Sequence, residues 1–124
     1  MSVPQNLKYT KTHEWVKVHE NRATVGITDF AQHEITDIVH AELPEIHKQV
    51  TKGQPVAIIE SVKSAFDIYA PLSGKIIELN SAVLEKPELI NQSPYENGYL
   101  FSIEFTNVEE LNDLVDADSY KKLI

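Results

Sequence analysis

The 124-residue chain has no cysteine, which removes disulfide frameworks, thiolate metal sites and cysteine nucleophiles from consideration. Cations are scarce: 11 Lys and Arg stand against 19 Asp and Glu, a net charge of −8. That balance argues against a nucleic-acid binder, whose affinity rests on cations neutralising phosphates. It also disfavours an anionic membrane surface and favours partners with basic patches. No apolar run approaches a membrane span; stretches such as Val56-Ala57-Ile58-Ile59 are far too short. The N-terminal segment Met1-Ser2-Val3-Pro4-Gln5-Asn6 lacks the charged region and apolar run of a secretory signal, so a cytoplasmic protein is expected. A glycine-rich phosphate loop and a nucleophile elbow are both missing. The five histidines, His13, His19, His33, His40 and His47, are at least six residues apart and form no local chelating pair, so no metal site is expected.

What is present is one domain's worth of chain, 42% hydrophobic, with short alternating runs through its first hundred residues. Trp15 to Val18 and Ala23 to Ile27 read as strands joined by a turn at His19-Glu20-Asn21-Arg22. Thr28 reads as the N-cap of a short helix through Phe30, Ala31 and Ile35, with Asp29 at its positive end. Further strands are expected at Ile38–Leu43, Val56–Ser61, Phe66–Ala70, Lys75–Leu79 and Tyr99–Phe105. Residues 80 to 98 carry turn chemistry, with a helical turn around Ser81 to Glu85. Asn107 followed by Glu110 is a capping-box variant, and Val108, Leu111, Leu114 and Val115 fall on one face of a C-terminal helix. A last turn is expected to start at Asp118 or Ser119. Many short strands with a terminal helix indicate a small barrel or sandwich.

The informative stretch is Val56 to Pro71. With Val62 and Lys63 at the apex of a hairpin, Ile59 pairs with Phe66 and Ala57 with Ile68, giving one apolar face. The other face carries Ile58 beside Asp67 and Glu60 beside Ala65, so both acids project on the same side. Lys63 then stands at the tip in water. Val62-Lys63 is poor chemistry for a type I′ turn, which wants Asn or Gly, so the surrounding fold must impose the bend. Turn signals flank the hairpin almost symmetrically, Gly53 ten residues before Lys63 and Gly74 eleven after it.

This pattern is similar to lipoyl- and biotinyl-carrier domains. Leu7-Lys8-Tyr9, His13-Glu14-Trp15, Val25-Gly26-Ile27-Thr28, Glu42-Leu43-Pro44, Glu60-Ser61-Val62-Lys63, Asp67-Ile68-Tyr69-Ala70-Pro71 and Asn91-x2-Pro94-Tyr95-x2-Gly98 recur together. Together they resemble the H-protein family of the glycine cleavage system over nearly the whole chain. Glu-Ser-Val-Lys favours lipoyl over biotinyl carriers, which usually place Met beside the lysine; Met1 is the only Met here. The chain departs from the usual pattern at Thr36 and His47, where Gly is common, at Ser64 and Phe66, where smaller residues are usual, and at Tyr99, which replaces Trp.

The resemblance implies a mainly β, barrel-sandwich hybrid fold with short helices and a C-terminal helix. It implies one lipoyl-carrier domain over residues 1–124, with a hybrid β core at about 7–105 and a helical segment at about 107–124. It further implies lipoate in amide linkage to Lys63 and no catalysis by the chain itself. The aminomethyl intermediate of glycine decarboxylation would pass between the P protein (glycine decarboxylase), the T protein (aminomethyltransferase) and the L protein (dihydrolipoamide dehydrogenase). A lipoate ligase or lipoyl/octanoyl transferase would load it. Such a carrier works in a bacterial cytoplasm, or in the mitochondrial matrix for a eukaryotic mature form. Glu60 is a candidate recognition residue for the loading enzyme, the alternative being strand solubilisation. Thr12, Glu14 and Asp67 are candidates for the cleft that shields the loaded arm, the alternative being solvated surface charge. A lipoyl-group relay with the same modified lysine, and an unmodified interaction module on the same fold, remain as other functions.

Overall fold

A computed structural model describes all 124 residues. Nine strands form two antiparallel sheets. One has six strands in the order β1-β2-β3-β9-β8-β5: β1 (Lys8–Tyr9), β2 (Glu14–His19), β3 (Arg22–Ile27), β5 (Gln49–Val50), β8 (Gly74–Leu79) and β9 (Phe101–Phe105). The other has three, β4-β6-β7: β4 (Ile38–Glu42), β6 (Pro55–Ser61) and β7 (Ala65–Tyr69). Alternation along each strand turns Val25, Ile27, Ala57, Ile59, Ile76 and Ile103 inward, into one core shared by both sheets. The chain's fold class is therefore mainly β with short helices, as expected.

Sheet register depends on close approaches only glycine allows. Trp15 faces Gly26 across β2 and β3, and a Cβ at Gly26 would lie 2.6 Å from the indole. The ring, fully buried, donates its Nε1–H to the Pro94 carbonyl at 2.9 Å. It belongs to a second, smaller cluster with Leu7, Tyr9, Ala117 and Tyr120.

Helix α1 (Asp29–Ile35) starts where expected, and the Thr28 hydroxyl accepts from the Ala31 N–H at 3.1 Å. Residues 80 to 98 contain two helical turns rather than one, α2 (Ala82–Glu85) and α3 (Leu89–Gln92). The C-terminal segment corrects the expectation of one amphipathic helix. It is a 3₁₀ helix, Val108–Asp113, then an extended Val115 bridged to Tyr9, then α4 (Ala117–Lys121) capped by Asp116. Backbone pairing with Tyr9 in both directions at Val115 competes with helix continuation and wins. Val108 is left exposed. Two acids of this segment are engaged: Glu110 accepts from the Ser73 N–H and hydroxyl, and Asp113 pairs with Lys52.

Thr36 and His47, both departures from glycine, have φ near +71°. Thr36, at ψ −145°, occupies a region that is essentially glycine-only and especially poor for a β-branched residue. Replacing Thr36 by Gly is expected to raise stability by about 1 kcal/mol, the relief of strain exceeding the added unfolded-state entropy. A urea midpoint shift at constant slope checks it.

Candidate functional site

The β6–β7 hairpin has the register read from its sequence: Ala57↔Ile68, Ile58↔Asp67, Ile59↔Phe66 and Glu60↔Ala65. Its reversal, however, is not a type I′ turn, because neither Val62 nor Lys63 has positive φ. Instead the Ser61 N–H donates to the Ser64 carbonyl at 2.8 Å, and the largely buried Ser61 hydroxyl accepts from the Lys63 and Ser64 N–H groups, each at 3.2 Å. One side-chain oxygen thus satisfies the two amides of the bend. Its importance was missed in the sequence, where the unsuitable turn residues were the only hint. Lys63 is exposed and enters none of the four ion pairs. The tip therefore presents a free amine in water on a backbone the rest of the sheet holds.

In the three-stranded sheet β7 is an edge, so half its backbone groups point away from β6. Along that edge the Glu14 carboxylate accepts from the Tyr69 N–H at 3.2 Å. Its other oxygen accepts from the Thr10 and Thr12 hydroxyls, each at 2.5 Å. The loop before β2 is curled for this purpose: Thr10 Oγ1 also accepts from the Glu14 N–H, and His13 has φ +72°. Glu14 is 1% exposed, and burial pushes its pKa above the ordinary glutamate range despite the four hydrogen bonds that pull it down.

Two grooves flank this edge. The larger, about 590 Å³, has Glu14, Thr12 and Tyr69 on its walls and the Lys52–Asp113 pair at its margin. The smaller, about 290 Å³, is mostly apolar and includes Thr12, His13, Phe30, Phe66 and Asp67. The structure thus brings Thr12 and Glu14 together, while Asp67 lies in the neighbouring groove and shares only Thr12 with them. Phe66, 38% exposed, lines that smaller groove. His13 supports it from behind, its Nδ1 2.8 Å from the Tyr120 hydroxyl, which is in turn 2.7 Å from Thr28 Oγ1. Tyr95 and Tyr99 line neither groove; the Tyr95 hydroxyl donates to the Ser2 carbonyl and accepts from the Asp29 N–H. Glu60 lies in β6 directly opposite His40 of β4, on the sheet's outward face.

The model of the family described as glycine cleavage H-protein matches residues 7–124. The chain belongs to this family. It is 73% identical over its full length to the glycine cleavage system H protein of Endomicrobium trichonymphae, which it covers completely. It is 52% identical over 115 residues to that of Thermotoga maritima, 93% of each chain being covered. The crystal structure of the Mycobacterium marinum H protein superposes with a TM-score of 0.90 at 33% identity, covering 97% of both chains. As a member of the H-protein family, the chain is the lipoyl carrier of the glycine cleavage system and a non-catalytic subunit. The P, T and L components of that system are the partners the family implies. No helix is long and apolar enough to cross a membrane.

A glutamate whose folded pKa exceeds its unfolded value binds the proton more tightly when folded. Its contribution to stability therefore falls as pH rises from the ordinary glutamate value through the shifted one. A carboxyl ¹³C titration is expected to place Glu14 above the ordinary glutamate value. In Glu14→Gln that falling limb of stability against pH should vanish.

Proposed function

We propose that Lys63 bears the lipoyl group, that Glu60 is read by the enzyme attaching it, and that Thr12, Glu14 and Asp67 receive the loaded arm. The observation carrying this reading is the Lys63 ammonium, free of any carboxylate, at the apex of a bend locked by Ser61. A side chain that must become an amide needs an unencumbered nitrogen, and a ligase needs it on a fixed platform. The residues present suit the group: an exposed lysine, and two grooves on either side of Thr12 within the same face of the fold.

Bound there, the dithiolane supplies the redox and carbon-transfer chemistry. The chain supplies position and surroundings. The Ser61 turn keeps the attachment point in one place, so each delivery to a partner component is quasi-intramolecular. Glu14, desolvated and already hydrogen-bonded by two hydroxyls and an amide, is held ready for a cationic amine. A cation beside it offsets the burial that otherwise disfavours its charge. Thr10 and Thr12 keep its oxygens aimed. Asp67 adds a second negative charge from the smaller groove. Both grooves limit water at the loaded end, and so limit its hydrolysis. The loading enzyme is a lipoate ligase or a lipoyl/octanoyl transferase, and the setting is a bacterial cytoplasm, in keeping with the relatives above.

Coexpression with a lipoate ligase is expected to add one lipoyl mass, localised to Lys63 by tandem fragmentation and absent in Lys63→Arg. An adduct elsewhere, or none, overturns the assignment. Glu60→Ala should slow loading without altering thermal unfolding. Glu14→Gln combined with Asp67→Asn should leave loading intact but shorten the lifetime of the aminomethylated protein; an unchanged lifetime removes both acids from the role.

A further inference from the structure

On the outward face of the three-stranded sheet, the register assembles a mixed nitrogen and oxygen donor set that no single stretch of sequence contains. His40 and Glu42 are two apart in β4 and share a face, and Glu60 of β6 lies directly opposite His40. The opposite face of the same strands is packed: Ala41, Ala57 and Ile59 are buried, so the register cannot slip without turning them into solvent. His40 Nε2 is 3.8 Å from a Glu42 oxygen and 3.9 Å from a Glu60 oxygen, and all three donor atoms lie within 4.8 Å of one another.

We infer that His40, Glu42 and Glu60 form a site for a divalent first-row transition cation of the zinc class, and that occupancy withdraws Glu60 from the enzyme that loads Lys63. Ligand distances of about 2.0–2.1 Å in a tetrahedral shell set neighbouring donors about 3.4 Å apart. His40 and each glutamate need close by only about half an ångström to reach that spacing, and the two glutamates by at most about 1.4 Å. All three side chains are 40–58% exposed, so small rotamer changes suffice. An imidazole with two carboxylates favours zinc-class ions over magnesium or calcium, which take oxygen-only shells. Three protein ligands leave a fourth position for water, and exposed ligands must be ordered on binding, so affinity in the micromolar range is expected. The bound ion neutralises the Glu60 charge and turns its carboxylate toward β4. This second half rests on Glu60 being read by the loading enzyme; the first does not.

The test uses full-length, tag-free, unlipoylated protein. Calorimetric titration with Zn²⁺ is expected to show one micromolar site, weakened about ten-fold or more in His40→Ala and in Glu42→Gln, since loss even of indirect support for a ligand costs 10–100-fold. Unfolding curves of both variants should stay close to the parent, because these side chains are more than half exposed and lie outside the core. Equal zinc affinity in parent and His40→Ala, or no binding at millimolar zinc, overturns the site. Loading is then followed with octanoate, which has no sulfur to bind zinc. Zinc should slow loading of the parent chain several-fold and leave His40→Ala unaffected, which controls for inhibition of the ligase itself. Zinc binding that leaves parent loading unchanged overturns the coupling while the metal site stands; loading of Glu60→Ala without zinc decides the Glu60 reading separately.

Discussion

The hydroxyl of Ser61 is the contact on which the arrangement of the hairpin tip depends. A two-residue reversal between antiparallel strands normally uses positive φ at one or both central positions, and neither Val62 nor Lys63 adopts it. A single buried oxygen, accepting from the Lys63 and Ser64 amides, makes the bend possible with ordinary L-residues. Those residues can then be chosen for other purposes, and one of them is a lysine with nothing to pair with. The β6–β7 ladder below it is anchored by Ile59 and Ile68, both in the main core. Rigidity at the tip is thus inherited from the sandwich interior.

The same hairpin supplies the second constraint. Because β7 ends its sheet, its outer edge offers unpaired amides, a feature proteins ordinarily cover. Here Glu14 covers part of it by accepting from Tyr69, and the loop from Thr10 to His13 folds over to complete the carboxylate's shell. A buried acid so placed is electrostatically expensive alone and favourable beside a cation. Burial of Glu14 and the shallow grooves on either side are two consequences of one edge strand meeting one curled loop. The proposed attachment residue and the proposed shielding residues therefore share a structural element, with Lys63 at its tip and Tyr69 at its foot.

Much of this was legible in the order of residues. Placing Val62 and Lys63 at the apex determines the hairpin register, and a one-residue slip exposes Ala57, Ile59 and Ile68 together. Thr28 announced α1 through its cap. Other features were hidden because they arise between distant segments. Val115 is extended owing to Tyr9, more than a hundred residues earlier, and no local periodicity reports that pairing. Glu14 is a cleft candidate in the sequence through the family resemblance alone, and its burial arises only when Tyr69 is brought against it. His40, dismissed as a ligand for want of a neighbouring chelator, meets Glu60 only when β4 pairs with β6. Thr36 and His47 were flagged as departures from glycine, and their positive φ explains why glycine suits those positions.

The most direct test is the backbone order of the bend itself. ¹⁵N relaxation of the unlipoylated chain is predicted to give Val62, Lys63 and Ser64 amides order parameters near the ~0.85 of rigid backbone, falling in Ser61→Ala while β6 is unchanged. Values below about 0.6 in the parent chain, with no response to Ser61→Ala, would contradict a locked platform for the lysine.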